Sequence, residues 1–395
     1  MQSLDWIVSE IDSLKLRLSK PQRRHLINYV HGLITAEKRK KNIQCINSKF
    51  LDSVDQSNLN RFLTKANWNM KELEMKRIQY FIKNKVGGIL VIDDTNNEKT
   101  GTHIEGIGEL YDYTTKQRIL CHSIVTSLYL NKDEEVPLLF HPYFKEEVAE
   151  KLKKPFYTKI ELAKQIIEAS TSILSPSFIV FDAWYFAKSI IRLCEEKGLY
   201  YVTQAKSNRK IYIESKEISL KEFAKQIPNQ AFLKINETLD EQRFRYIYES
   251  IVQMKNIGRV KVVFLREKLD GETTFLVTNA LNLPALEILK VYKARWCIEV
   301  MHRDCKQHLG LGDYQMRSMN GIARHLSLVF LSYSLLKKAT YNPQQFNRIV
   351  KTIGEACNAI RHLLLEQFSI WLIKLYEKLK NIDKVIMIMR RKCSN

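Results

Sequence analysis

Residues 292–308 read YKARWCIEVMHRDCKQH, and four of them, Tyr292, Arg295, Glu299 and Lys306, carry chemistry at spacings that a helix would align. At about 100° per residue the four fall within an arc of roughly 60°. Arg303 joins this stripe and His302 borders it, while Val291, Ile298, Met301, Cys305 and Leu309 occupy the other side, as a core-facing surface requires. The simplest account is a solvated stripe with Arg295 and Glu299 paired one turn apart. Tyr292 fits that account poorly. A carboxylate flanked by cations and a phenol suits a metal-bound phosphodiester instead, the carboxylate holding the cation while Arg and Lys hold phosphate oxygens.

One carboxylate does not hold a metal, and two more stand in suggestive places. ILVIDDT (89–95) and SFIVFD (177–182) are short apolar, β-branched runs that break off in aspartates, so Asp94 and Asp182 are expected where a buried strand reaches the rim of a sheet. Either aspartate by itself reads more simply as a turn or cap residue. Together with the helix they form a set of hard oxygen ligands without His or Cys, which selects Mg²⁺, with Mn²⁺ able to substitute. Asp93 stands beside Asp94, and strand alternation lets only one of the two face a given site.

These residues need a scaffold. Residues 1–85 read as helices, with Pro21 suited to a first helical turn. Arg23, Arg24, Lys38, Arg39, Lys40 and Lys41 make the region basic, and they read equally well as a solvated face or as phosphate contacts. From Gly87-Gly88 onward the texture is strand-like: ILVID, then 118–130, then VPLLFH. Helix (KIELAKQIIEASTSIL), strand (SFIVFD), helix (AWYFAKSIIRLCEEKG, closed by Gly198) and strand (LYYVTQAK) follow. Residues 207–282 are β-rich, with Asp270-Gly271 as a hairpin turn. The remainder is helical and basic. The fold class is therefore mixed α/β, a central sheet flanked by helices. Neither G-x-G-x-x-G nor G-x-x-x-x-G-K-[ST] follows any strand, which disfavours a nucleotide-binding doubly wound fold.

The chain carries 63 Lys and Arg against 43 Asp and Glu, a formal charge of +20, which points to a polyanionic partner, nucleic acid first. At 45% hydrophobic residues it has ample material for a core. Seven cysteines without a C-x-x-C pair argue against a zinc finger and a disulfide framework and for a reducing compartment. The acidic start MQSLDWIVSEIDSL lacks a secretory signal, and the longest apolar run, 326–336, is too short to span a bilayer. A cytoplasmic protein is expected.

The motif Y-x2-R-x3-E-x6-K, met by Tyr292, Arg295, Glu299 and Lys306, resembles the signature of the DDE transposases of prokaryotic insertion sequences. VIDDT (91–95) and VFDAWY (180–185) are similar to that family's first and second catalytic strands, and the β-rich insertion between the second Asp and the Glu is typical of this branch. The resemblance implies an RNase H-like core with Asp94, Asp182 and Glu299 as catalytic metal ligands. Asp94 is preferred over Asp93 because the family pattern places Thr directly after the ligand. It further implies Tyr292, Arg295 and Lys306 gripping DNA phosphates with Arg303 beside them, and Mg²⁺ as cofactor. The partners implied are terminal inverted repeats, target double-stranded DNA and a second copy in a homodimeric synaptic complex at the nucleoid, with no membrane. The resulting organisation is 1–85 a helical DNA-binding region, 86–206 the first part of the core, 207–282 the insertion, 283–335 its closing helices and 336–395 a basic helical region. Two other readings stand beside an active transposase: a captured, non-catalytic DNA-binding regulator, and an RNase H-like nuclease.

Overall fold

The computed structural model describes residues 4–37, 41–48, 55–112, 115–236, 244–346 and 349–393. The chain opens with helices α1 (Asp5–Ser13), α2 (Lys20–Thr35), α3 (Ile43–Asn47), α4 (Gln56–Thr64) and α5 (Met70–Phe81). Pro21 lies in the first turn of α2, where the Ser19 hydroxyl accepts the Gln22 N–H and the Gln22 side chain accepts the Ser19 N–H at 2.9 Å. Two members of the basic cluster have partners in the protein, one buried and one exposed. Lys41, expected as either a solvated or a phosphate-contacting residue, is buried, and its ammonium donates to the Leu33 and Ala36 carbonyls at 2.6 Å each. It thus satisfies the last carbonyls of α2. Arg23 pairs with Asp12 at 2.5 Å. Lys38, Arg39 and Lys40 lie outside the described residues.

The sheet begins with β1 (Ile89–Glu98), β2 (Gly108–Asp112), β3 (Gln117–Asn131) and β4 (Glu134–Tyr143). Helices α6 (Glu146–Lys151) and α7 (Lys159–Thr171) follow, then β5 (Phe178–Phe181), α8 (Lys188–Glu196) and β6 (Tyr200–Ala205). β1 pairs antiparallel with β3 and parallel with β5, and β5 runs parallel to β6. This is the mixed sheet of an RNase H-like core. The apolar run suggests that β1 stops at Asp93-Asp94-Thr95, but it continues to Glu98, because β3 is long enough to pair it from Ile89↔Leu130 to Glu98↔Cys121. Its other flank is shorter: the pairing with β5 ends at Ile92↔Phe181.

The expected β-rich insertion holds β7 (Lys210–Ile213), β8 (Lys216–Ser219), α9 (Leu220–Gln226), β9 (Leu233–Asn236), β10 (Phe244–Met254), β11 (Gly258–Arg266) and β12 (Thr273–Thr278). It does not form a separate layer. β12 pairs with β6, so one sheet runs in the order β2-β3-β1-β5-β6-β12-β11-β10-β7-β8, with β4 on β3 and β9 on β10. The chain closes with α10 (Ala285–Lys293), α11 (Arg295–His308), α12 (Met319–Thr340), α13 (Ile353–Leu379) and α14 (Ile382–Cys393).

Helix α12 is buried along most of its length and packs on α2, α4 and α5, joining the N-terminal helices to the sheet. A buried chain of polar contacts fixes that junction: the Tyr29 hydroxyl lies 2.7 Å from His325 Nδ1, and His325 Nε2 lies 2.9 Å from the Gly310 carbonyl at the end of α11. Gly310 has φ +70°, and a Cβ there would come within 2.6 Å of the Lys41 side chain, so only glycine fits this turn. The N-terminal helices thereby set where α11 ends.

Candidate active site

The acids meet where β5 runs out. Leu90, Val91 and Ile92 are buried, as the continuous apolar run requires, and beyond Ile92 β1 has β3 on one side and an open flank on the other. Asp182, the residue after Phe181, turns into that opening. Its Oδ1 accepts the N–H groups of Trp184 at 2.9 Å and Tyr185 at 3.3 Å. This side-chain turn holds residues 183–185 out of a helix, so α8 begins at Lys188 and not at the AWYF run. Burial raises the Asp182 pKa, the two N–H bonds oppose the shift, and Asp94 adds to it.

Alternation sends Asp93 and Asp94 to opposite faces of β1. Asp93 faces α11. Its Oδ2 lies 3.8 Å from Arg295 Nη1, and its cross-strand neighbour Thr126 bonds His302 of the same helix at 2.7 Å. Asp94 faces α7. Its Oδ2 is 2.5 Å from the Lys159 ammonium, and its Oδ1 accepts the Tyr185 hydroxyl at 2.9 Å.

The segment 292–308 is two helices. α10 ends at Lys293 and α11 starts at Arg295, with Ala294 between them at φ −58°, ψ −24°. Tyr292 therefore sits in the last turn of α10, where its hydroxyl donates to Gln204 of β6 at 3.1 Å. Arg295 opens α11. Its Nη1 lies 2.5 Å from Glu299 Oε1, and its guanidinium lies 5.8 Å from the centre of the Tyr292 ring. The buried side of α11 comprises Ile298, Met301, Cys305 and also His302, which the stripe left at its border. Lys306 is half-buried; burial lowers its pKa, opposed by Asp112, Cys121 and Asp94, which puts it within electrostatic reach of Asp94. Arg303 is exposed and pairs with Asp304 at 3.8 Å. The structure thus brings Asp93, Asp182, Glu299, Arg295 and Tyr292 together at the rim on the α11 side, holds Asp94 on the other face of β1 against Lys159, and leaves Arg303 turned to solvent.

Sequence reasoning missed three participants. Lys159 and Tyr185 hold Asp94, and Gln204 holds Tyr292. A signal existed for the first: Thr158 and Glu161 form a capping box that makes Lys159 the first residue of α7, with its side chain at the helix mouth.

Among the described residues, no group of three or more His, Cys, Asp or Glu is gathered closely enough to hold a metal ion as it stands. Cations sit among the acids instead. The donor chemistry nevertheless fits a hard divalent ion, because four carboxylates crowd one partly buried rim. The crowding has a measurable cost: burial first, then Asp94 and Asp182, push the Asp93 pKa up to about 7. A dication would relieve that repulsion. His302, driven down to about 3 by burial and bonded to Thr126, is committed to the core.

The Asp93 shift has a testable sign. Its folded value of about 7 exceeds the ordinary 3.8, so the folded protein keeps a proton that the unfolded chain has lost. The associated stability is fully present below the ordinary value and disappears as pH rises through about 7. In chelator-containing buffer, Asp93→Asn should flatten the loss of stability between pH 5 and pH 8 by about 2–4 kcal/mol. Urea melts at the two pH values check this, and parallel slopes for variant and wild type would show that Asp93 titrates normally.

Residues 15–222, more than half of the chain, match the family described as DDE superfamily endonuclease. The chain belongs to that family. Residues 158–335, which hold Asp182, Glu299, α10, α11 and most of α12, match the transposase DDE domain family. "Putative transposase y4zB" of Sinorhizobium fredii is 27% identical over 209 residues, 52% of this chain and 53% of that relative. The chain thus matches about half the length of this curated relative. A solved structure, the piggyBac transposase synaptic complex with hairpin DNA, covers 100% of this chain and 83% of its own at TM-score 0.51 and 12% identity, a likeness of fold alone. For this DDE-superfamily chain the acids at the sheet rim lie inside the matched regions.

Proposed function

We propose that this chain is a transposase of the Tyr-Arg-Glu-Lys signature branch, which cuts DNA at the ends of an insertion sequence and joins the 3′-hydroxyls to target DNA. The observation that carries this reading is the meeting of the Asp93-Asp94 pair, Asp182 and the Arg295–Glu299 pair at one rim from three distant stretches of sequence. The metal ligands are Asp94, Asp182 and Glu299. The Thr that follows it favours Asp94 as the first ligand; Asp93, the acid on the α11 side and 3.8 Å from Arg295, is the alternative. Bound Mg²⁺ or Mn²⁺ would supply Lewis-acid stabilisation at the phosphate and an activated water or 3′-hydroxyl.

The chain's own residues do the rest. Arg295 offers a planar fork to two phosphate oxygens, Tyr292 and Lys306 hold the strand on either side, and Arg303 reaches outward from the exposed face. The excess of 20 positive charges provides the sequence-independent attraction to the duplex. Two ends must be cut together, so a homodimer on DNA is part of the reading, as is a place at the prokaryotic nucleoid. No helix among the described residues is long and apolar enough to cross a membrane.

The test is metal-dependent joining of a labelled oligonucleotide, carrying the inverted repeat that flanks the gene, to plasmid DNA. Covalent transfer products are expected in Mg²⁺ or Mn²⁺ and none in chelator. Cutting without joining would make the chain a nuclease, and binding with neither would make it a regulator.

A further inference from the structure

Lys159 is an odd residue to find against the acid cluster. It belongs to α7, an element with no part in the signature, and its side chain is only 16% exposed while Asp94 is 22% exposed. The capping box at Thr158 fixes the first turn of α7, so the backbone of Lys159 is held and its four-carbon stem aims the ammonium at Asp94 Oδ2, 2.5 Å away. Tyr185, buried behind the site, takes the other oxygen at 2.9 Å. Asp94 is therefore fully engaged, one oxygen by a neutral hydroxyl and one by a cation. The ammonium also has somewhere to go: it lies 5.5 Å from the Tyr143 ring centre and 5.9 Å from that of Trp184, whose face opens to solvent. Such ring faces accept a cation that leaves its carboxylate.

We infer that Lys159 is the resident counter-ion of Asp94, which a divalent ion must displace from the ligand oxygen and which withdraws toward Tyr143 and Trp184 when it does so. The inference rests on the acid-site reading above. Its physical content is competition. In the metal-free protein the Lys159 charge at Asp94, with Arg295 near Asp93, offsets repulsion among Asp93, Asp94 and Asp182, and a dication offsets it better. Both cannot occupy the same oxygen, so the lysine weakens metal binding while it stabilises the empty site. An arginine there would hold its carboxylate with a rigid fork, whereas a lysine is a flexible point charge and is the more easily displaced.

The test measures Mn²⁺ binding to the full-length chain without DNA, by calorimetry, together with melting temperatures with and without Mn²⁺. Lys159→Met should bind Mn²⁺ about tenfold more tightly than wild type, because the competing charge is gone. It should melt lower than wild type without metal, and Mn²⁺ should raise its melting temperature by more than it raises that of wild type. Should Lys159→Met not fold without metal, Lys159→Gln, which keeps a hydrogen-bonding end without the charge, is measured in its place. Unchanged Mn²⁺ affinity, or a melting temperature lowered equally with and without Mn²⁺, would make Lys159 a structural ion pair and overturn the inference alone. Asp182→Asn serves as the control. If it binds Mn²⁺ as wild type does, the ion is not at the acid rim, and the acid-site reading fails together with the inference.

Discussion

Asp182→Asn is expected to lower strand cleavage by about a thousandfold or more, with folding and DNA binding retained. If Asp182 is one of three metal ligands, as proposed, the size follows from losing a ligand to a metal that contributes several kcal/mol of transition-state stabilisation, at about 1.4 kcal/mol per factor of ten. The selectivity follows from the structure. Asparagine keeps a side-chain oxygen that can accept the Trp184 and Tyr185 N–H groups, so the turn that positions residues 183–185 survives. Because burial already raises the Asp182 pKa, a neutral side chain is no harder to bury than the native carboxylate. Cleavage of a labelled repeat, a gel-shift titration and a thermal melt on one preparation read the three properties separately. Cleavage within a few-fold of wild type would remove Asp182 from the metal site. Loss of binding with cleavage still measurable would make it a DNA contact instead.

The second large effect belongs to Arg295→Lys. In the structure Arg295 Nη1 reaches Glu299 at 2.5 Å and Asp93 at 3.8 Å, so one guanidinium links the helix acid to the strand acid. Lysine keeps the charge but loses the planar fork that can hold two oxygens at once. Were this only a partly exposed ion pair, the change would cost roughly 0.2–1 kcal/mol of stability and nothing in rate. As a phosphate clamp, Arg295 should lose tenfold or more in cleavage, since about 1.4 kcal/mol of transition-state binding suffices. The melting temperature should barely move. Wild-type cleavage by Arg295→Lys would return the stripe on α11 to a simple ion-pair face.

Much of this site was legible in the sequence, and the reason is local. Strand β5 is a continuous apolar run with Asp182 at its end because a strand paired on both sides buries both faces. Likewise the buried side of α11 follows from a 3.6-residue period that neighbouring residues set by themselves. The strand-end acids Asp94 and Asp182 and the helix pair Arg295 and Glu299 are therefore visible as candidates in the sequence alone.

What each of them touches was decided by pairing between distant segments. Alternation says that Asp93 and Asp94 part company, but only the placement of α11 and α7 on opposite faces assigns Arg295 to one and Lys159 to the other. β1 runs past its apolar stretch because β3 is long enough to pair it, a fact written more than twenty residues away. Residues 207–282 carry strand periodicity by themselves, yet their place at the edge of the central sheet rests on the β6–β12 pairing. Lys41 looks on paper like any member of a basic run. It is buried because the carbonyls at the end of α2 need a donor where Gly310 brings the end of α11 against it. Periodicity and caps are properties of a few adjacent residues and can be read in a line of text. Register, face and counter-ion are properties of two segments at once, and the chain states them only when it has folded.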